Sequence, residues 1–172
     1  KHMAFVDGDE PLSGTVEIDE TYIGGKSEGK RGRGASGKTV VMGMLERNGA
    51  IMTKIVPNVR RITLQPIIEK NVLRGSEIHT DELLSYKGID KLGYKHERVN
   101  HGRGEYVRKN IHVNGVESFW SRLKESIRGT HIHVSPKHLS SYASEFEYRY
   151  NSRNKADQML PQLLSTFPTS KK

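Results

Sequence analysis

The chain opens its ordered pattern with alternation. Residues 14–23, Gly-Thr-Val-Glu-Ile-Asp-Glu-Thr-Tyr-Ile, alternate and are rich in β-branched side chains, which predicts a strand. Thr39–Glu46 and Ile51–Val56 are two more apolar runs, joined across Arg47-Asn48-Gly49; Asn-Gly between such runs predicts a hairpin. The period then lengthens. Thr63 is placed to cap a helix carrying Leu64, Ile67, Ile68 and Val72 on one face, with Pro66 tolerated in its first turn and Gly75 ending it. Glu77–Thr80 predicts a short strand that delivers Asp81, Leu83–Lys91 a short helix, and Tyr94–Val99 a further strand. The clearest helix is 114–128, where Val116, Phe119, Trp120, Leu123 and Ile127 form one stripe. Ser135-Pro136 starts a last long helix that buries Leu139, Tyr142, Ala143, Phe146 and Tyr150, and the tail from Asn151 is polar and expected to be weakly structured. A hairpin followed by βα units predicts an α/β mixed sheet with helices on its faces.

Two stretches break the periodicity. Residues 24–38 hold six glycines and five cations, Lys26, Lys30, Arg31, Arg33 and Lys38, which makes a flexible basic loop. Residues 100–112 form a second basic, glycine-containing loop with Arg103, Arg108, Lys109 and His112. The net charge is +8, which favours a polyanionic partner, nucleic acid before membrane. The absence of cysteine excludes disulfides and thiolate zinc sites in these 172 residues. No run of eighteen apolar residues exists, so no membrane partner is expected. Lys1-His2-Met3 resembles a vector remnant, and residues 1–11 are set apart as a lead-in.

Three acids stand where structure would present them. Asp19 lies inside the first strand, Asp81 ends the fourth, and Glu117 lies beside the apolar stripe of the clearest helix. An acid inside an apolar strand is costly to bury unless paired. A divalent cation is the natural partner, and hard oxygen ligands suit Mg²⁺ or Mn²⁺. Thirty-five residues separate Asp81 from Glu117, the D-35-E spacing of many transposases and retroviral integrases. Glu20 and Glu82 follow the two aspartates directly; in a strand Glu20 points away from Asp19 and takes no metal role. His79 shares the face of Asp81, where it either orients the site or packs. His131 and His133 alternate, but a zinc site lacks third and fourth ligands.

The segments Val-Glu-Ile-Asp-Glu-Thr-Tyr-Ile-Gly-Gly-Lys (16–26), His-Thr-Asp-Glu-Leu-Leu-Ser-Tyr (79–86) and His-Val-Asn-Gly-Val-Glu-Ser-Phe-Trp-Ser-Arg-Leu-Lys (112–124) occur in this order, followed by Val-Ser-Pro-Lys-His-Leu (134–139) and Glu-Phe-Glu-Tyr-Arg-Tyr-Asn-Ser-Arg (145–153). Together they resemble the ISXO2-like transposase domain of the IS1595 family of bacterial insertion sequences, over roughly residues 12–155. The resemblance implies an RNase H-like fold, which the element order also suits, and DNA cleavage and strand transfer with two Mg²⁺ or Mn²⁺ ions per active site. It places the first two metal ligands on Asp19 and Asp81. The family's third position is Asn or Glu, with a Lys further along the helix. We take Glu117, because a carboxylate holds a cation better, with Asn114 as a weaker ligand or orienting group and Lys124 two turns on. One subgroup pattern has Glu, then Arg four and seven residues later. Glu145 and Arg149 match it, and Ser152 holds the last place.

By the same resemblance the partner is double-stranded DNA, both transposon ends and target, engaged by a homodimer or higher oligomer in the cytoplasm at the nucleoid. The cations of the two loops, with His112, Lys124 and Arg128, are the expected DNA contacts. Residues 156–172 are expected to be a tail outside the catalytic domain. Relatives carry an N-terminal zinc-ribbon or helix-turn-helix DNA reader; none is present here, so the segment is expected to be part of a longer protein. Two alternatives remain open: a nuclease of the same fold that does not join strands, and a basic DNA-binding module with inert acids.

Overall fold

A computed structural model describes residues 10–24, 38–99, 110–131 and 134–165, apart from the side chains of Thr130 and His131. The expected loop cations Lys26, Lys30, Arg31, Arg33, Arg103, Arg108 and Lys109 lie outside the described residues, as does the His133 side chain.

Five strands, β1 (Thr15–Ile23), β2 (Thr39–Glu46), β3 (Ile51–Val56), β4 (Glu77–Thr80) and β5 (Lys95–Arg98), form one sheet in the order β3-β2-β1-β4-β5. The first three strands are antiparallel, and β4 and β5 run parallel to β1 and to each other. This is the mixed sheet of an RNase H-like fold. Helices α1 (Arg61–Asn71), α2 (Asn114–His131), α3 (Pro136–Asn151) and α4 (Ala156–Ser165) complete the order of elements, with two 3₁₀ turns at Leu84–Tyr86 and Ile89–Leu92. Among the described residues no helix is long and apolar enough to cross a membrane.

The period-2 alternation of β1 divides two cores. Val16 and Ile18 face α1, with Met42, Met44, Leu64, Ile68, Ile78 and Tyr86. The opposite face carries Ile23, Val41 and Leu45 against the α2 stripe predicted from its spacing, Val116, Phe119, Trp120, Leu123 and Ile127. Phe119 packs edge-on to Phe146 and Tyr150 of α3, with centroids 5.2 and 5.4 Å away, and this ties α3 to α2. The exposed edge of the sheet is covered in a specific way. Asn151 accepts the Ile51 N–H at 2.8 Å and donates to the Ile51 carbonyl at 3.0 Å, so the end of α3 satisfies the edge of β3 as a strand would.

Four local expectations are corrected. The first long helix starts at Arg61, because Asn58 rather than Thr63 organises its entry: the Asn58 Oδ1 accepts the Arg60 N–H at 3.0 Å and the Thr63 hydroxyl at 2.8 Å. Pro66 accordingly lies inside the helix, beyond its first turn. The predicted helix 83–91 is two short turns, because Lys87 becomes extended after the first and Gly88, at a φ of +91°, opens the second. The tail is not weakly structured throughout: α4 forms there, and the buried Tyr148 hydroxyl donates to the Met159 carbonyl at 2.8 Å.

Candidate active site

The sheet brings the two aspartates together. In the parallel β1/β4 ladder Glu17 lies beside His79 and Ile18 beside Thr80. Continuing that register by one residue sets Asp81, just past the end of β4, next to Asp19. Both belong to the face that α2 covers. Asp81 is further fixed by its own turn, since its Oδ1 accepts the Leu83 N–H at 2.9 Å. Glu117 sits in the first turn of α2, exposed at the border of that face.

Electrostatics show that the three acids share one field. Burial pushes the Asp19 carboxyl up to about 6, the Asp81 charge adds to the effect, and the Glu117 charge adds again. A backbone hydrogen bond at Glu20 and the Trp120 indole N–H act the other way. Trp120 acts as a nearby dipole more than as a hydrogen-bond donor: its Nε1 is buried and has no partner in bonding geometry among the described residues. Among the described residues no three His, Asp or Glu side chains stand within reach of one metal ion. The donor set fits a hard divalent cation all the same: a desolvated carboxylate whose ionisation is opposed by two neighbouring acids is relieved by a cation among them.

A positive group adjoins the acids. Lys124, half-buried on α2, has its pKa lowered by burial; the Asp19 charge opposes that shift, and the charges of Arg128 and Lys38 reinforce it. Three of the expected DNA contacts are therefore electrostatically linked, Lys38 and Arg128 each acting on Lys124, which in turn feels the Asp19 charge. Asn114 is exposed at the start of α2, three residues before Glu117.

His112 is placed differently from a plain DNA contact. Its Nδ1 lies 3.2 Å from Glu17 Oε1 and 3.4 Å from an Arg47 Nη2, so one ring nitrogen faces inward. Glu17 and Arg47 are the residues that sequence reasoning missed. Glu17, 1% exposed, accepts from Arg47 Nε at 3.1 Å and Nη2 at 3.0 Å. Its other oxygen accepts the backbone N–H of Gly115 at 2.8 Å and of Val116 at 3.2 Å. The one signal in the sequence was parity: Glu17 shares the inward face of Asp19. His79 joins this network, with Nδ1 3.3 Å from Arg47 Nη2 and Nε2 2.8 Å from Glu77 Oε1. Glu20 points to the other face, where its carboxylate accepts from the Tyr86 hydroxyl.

Residues 11–151 match the ISXO2-like transposase domain. An uncharacterized transposase-like protein of Haemophilus influenzae is 31% identical over 102 residues, which cover 59% of this chain and 81% of that protein. An uncharacterized protein in the transposable element ISH50 of Halobacterium salinarum is 30% identical over 158 residues, covering 80% of this chain and 52% of that protein. The chain thus spans about half the length of the second relative. Among solved structures, the catalytic core domain of BIV integrase is similar at a TM-score of 0.45 and 15% identity, covering 93% of this chain and 86% of that one.

Proposed function

Because the chain belongs to the ISXO2-like transposase family, we propose that it is the catalytic domain, over residues 12–155, of an insertion-sequence transposase that cleaves DNA at transposon ends and joins those ends to target DNA. The observation that carries this reading is the β1/β4 register, which sets Asp81 beside Asp19 under the helix that bears Glu117. Asp19, Asp81 and Glu117 would hold two Mg²⁺ or Mn²⁺ ions. Bound there, such ions polarise a phosphodiester and lower the pKa of an attacking water or DNA 3′-hydroxyl.

The chain's own residues supply the rest. Asp19 would hold a cation in its ionised form, and its raised pKa would make that binding sensitive to pH near 6. Lys124, Lys38 and Arg128 draw the phosphate backbone toward the acids, and Lys124, which feels Asp19's charge, meets the terminal phosphate. Asn114 orients groups at the open end of α2. The protein works on DNA as a homodimer or higher oligomer.

The test is joining. A duplex carrying the element's end, pre-nicked at the terminal 3′-hydroxyl, is incubated with supercoiled plasmid in Mg²⁺ and in EDTA. Joined product in Mg²⁺ alone supports the proposal. Hydrolysis without joining identifies a nuclease, and binding with neither reaction identifies a basic DNA-binding module.

A further inference from the structure

We propose that Glu17, held by Arg47, is a positioning residue: it fixes the start of α2 on β1 and thereby sets the distance of Glu117 from Asp19 and Asp81. This rests on the assignment of those three acids as the metal site.

The first turn of a helix carries N–H groups with no partner inside the helix. They are usually met by a side chain just before the helix. Here two of them, at Gly115 and Val116, are met by one carboxylate oxygen from a strand, 98 residues away in sequence for Gly115. A negative charge is also favoured at that end of the helix by its dipole. Burying a carboxylate this deeply is costly unless it is paired and hydrogen-bonded, and Arg47 meets the second oxygen through two nitrogens. The same guanidinium donates to the Asn110 carbonyl at 2.8 Å and the His112 carbonyl at 3.3 Å, so it also ties down the chain entering α2.

Two details point beyond a plain buried ion pair. A side chain at Gly115 would push Glu17 and Leu45 aside: a Cβ there would lie 2.8 Å from Glu17 Oε2 and 2.6 Å from Leu45 Cδ2. The helix start is thus fitted to the carboxylate. The clamp is also close to the metal site along both elements. Glu17 lies two residues before Asp19 on one face of β1, and the clamped N–H groups of Gly115 and Val116 lie in the same first helical turn as Glu117. A shift of the helix start therefore moves the backbone that carries Glu117.

The experiment compares wild type, Glu17→Gln and Gly115→Ala in two measurements on the whole chain. Amide hydrogen exchange at residues 115 and 116 is followed by NMR in metal-free protein, and Mn²⁺ affinity is followed by EPR of the free ion. Glu17→Gln removes the charge that holds the helix start. Gly115→Ala keeps every charge and displaces the carboxylate with a methyl group. Both are expected to speed exchange at Val116 and to weaken Mn²⁺ binding by about tenfold or more, the usual effect of losing a group that orients a ligand. Faster exchange with unchanged Mn²⁺ affinity would make the clamp purely structural and overturn the proposal. Should Glu17→Gln fail to fold, Gly115→Ala decides on the same two readouts. A wild type that takes up no Mn²⁺, with exchange still responding to both variants, would overturn the metal-site assignment, and the positioning role with it.

Discussion

Asp19 stands directly opposite Gly43 in the antiparallel β1/β2 ladder, and the missing side chain at Gly43 is what lets Trp120 lie over that pair. A Cβ at position 43 would fall 2.5 Å from Trp120 Cζ2 and 2.8 Å from Cη2, on a rigid ring that is itself buried. Gly43→Ala is therefore expected to destabilise the protein by about 1–3 kcal/mol, the usual cost of overpacking a filled core. Urea unfolding followed by tryptophan fluorescence measures it, and Trp120 is the chain's one tryptophan, so the signal comes from the displaced ring. Unchanged stability would mean that α2 does not pack on the sheet as described.

The raised pKa of Asp19 fixes a second expectation. In the folded protein burial, with the Asp81 charge, pushes its carboxyl up to about 6 from an ordinary 3.8. A carboxyl raised on folding favours the folded state while it is protonated, and that contribution is lost as pH rises through the folded pKa. In EDTA, the Asp19 contribution to stability should thus decline between about pH 4 and pH 6. Asp19→Asn cannot ionise, so it should melt like wild type near pH 4 and above it at neutral pH. Thermal melts across this range would disprove the assignment if the two curves stayed parallel.

What could be read in advance divides by the range of the interactions. The hairpin bounds Thr39–Glu46 and Ile51–Val56 were legible because Asn48-Gly49 sets them locally, with Asn48 at a φ of 64°. The α2 stripe was legible because helical spacing is local too. Glu17 was not, because in Thr-Val-Glu-Ile-Asp-Glu it looks like any polar position of an alternating strand, while its partners Arg47 and Gly115 lie 30 and 98 residues away. Helix α4 was hidden by Pro161 and a polar flank, and its order depends in part on the contact from Tyr148. The candidate acids were legible as residues; their shared field came only from the register between β1 and β4.

The basic residues predict how DNA affinity depends on salt. Each phosphate contact contributes about 0.9 to the slope of log affinity against log salt. Lys38→Ala with Arg128→Ala should flatten that slope by about two. Replacing Lys30, Arg31 and Arg33 with Ala should flatten it by up to about three. Fluorescence anisotropy over a KCl series reads both, and an unchanged slope removes the corresponding residues from the DNA interface.

Asp81→Asn separates chemistry from binding. The amide keeps the shape and the bond to the Leu83 N–H, so the fold should survive. The charge that attracts a cation is gone, and cleavage and joining should both fall by about 10³-fold or more. DNA affinity should hold or rise, because a negative charge near phosphate has been removed. Assays with Mg²⁺ on both proteins decide this, and full joining by Asp81→Asn would contradict the role given to that residue.

The central claim is that Asp19, Asp81 and Glu117 are the ligands of one divalent-metal centre. Anomalous diffraction from crystals soaked in Mn²⁺ tests it most directly. The account predicts anomalous density between the Asp19 and Asp81 carboxylates, with the Glu117 carboxylate turned in to meet it. Density held by Asn114 with Glu117 left in solvent would contradict the choice of third ligand. Density away from both aspartates, or none at Mn²⁺ concentrations that support joining, would contradict the metal centre itself.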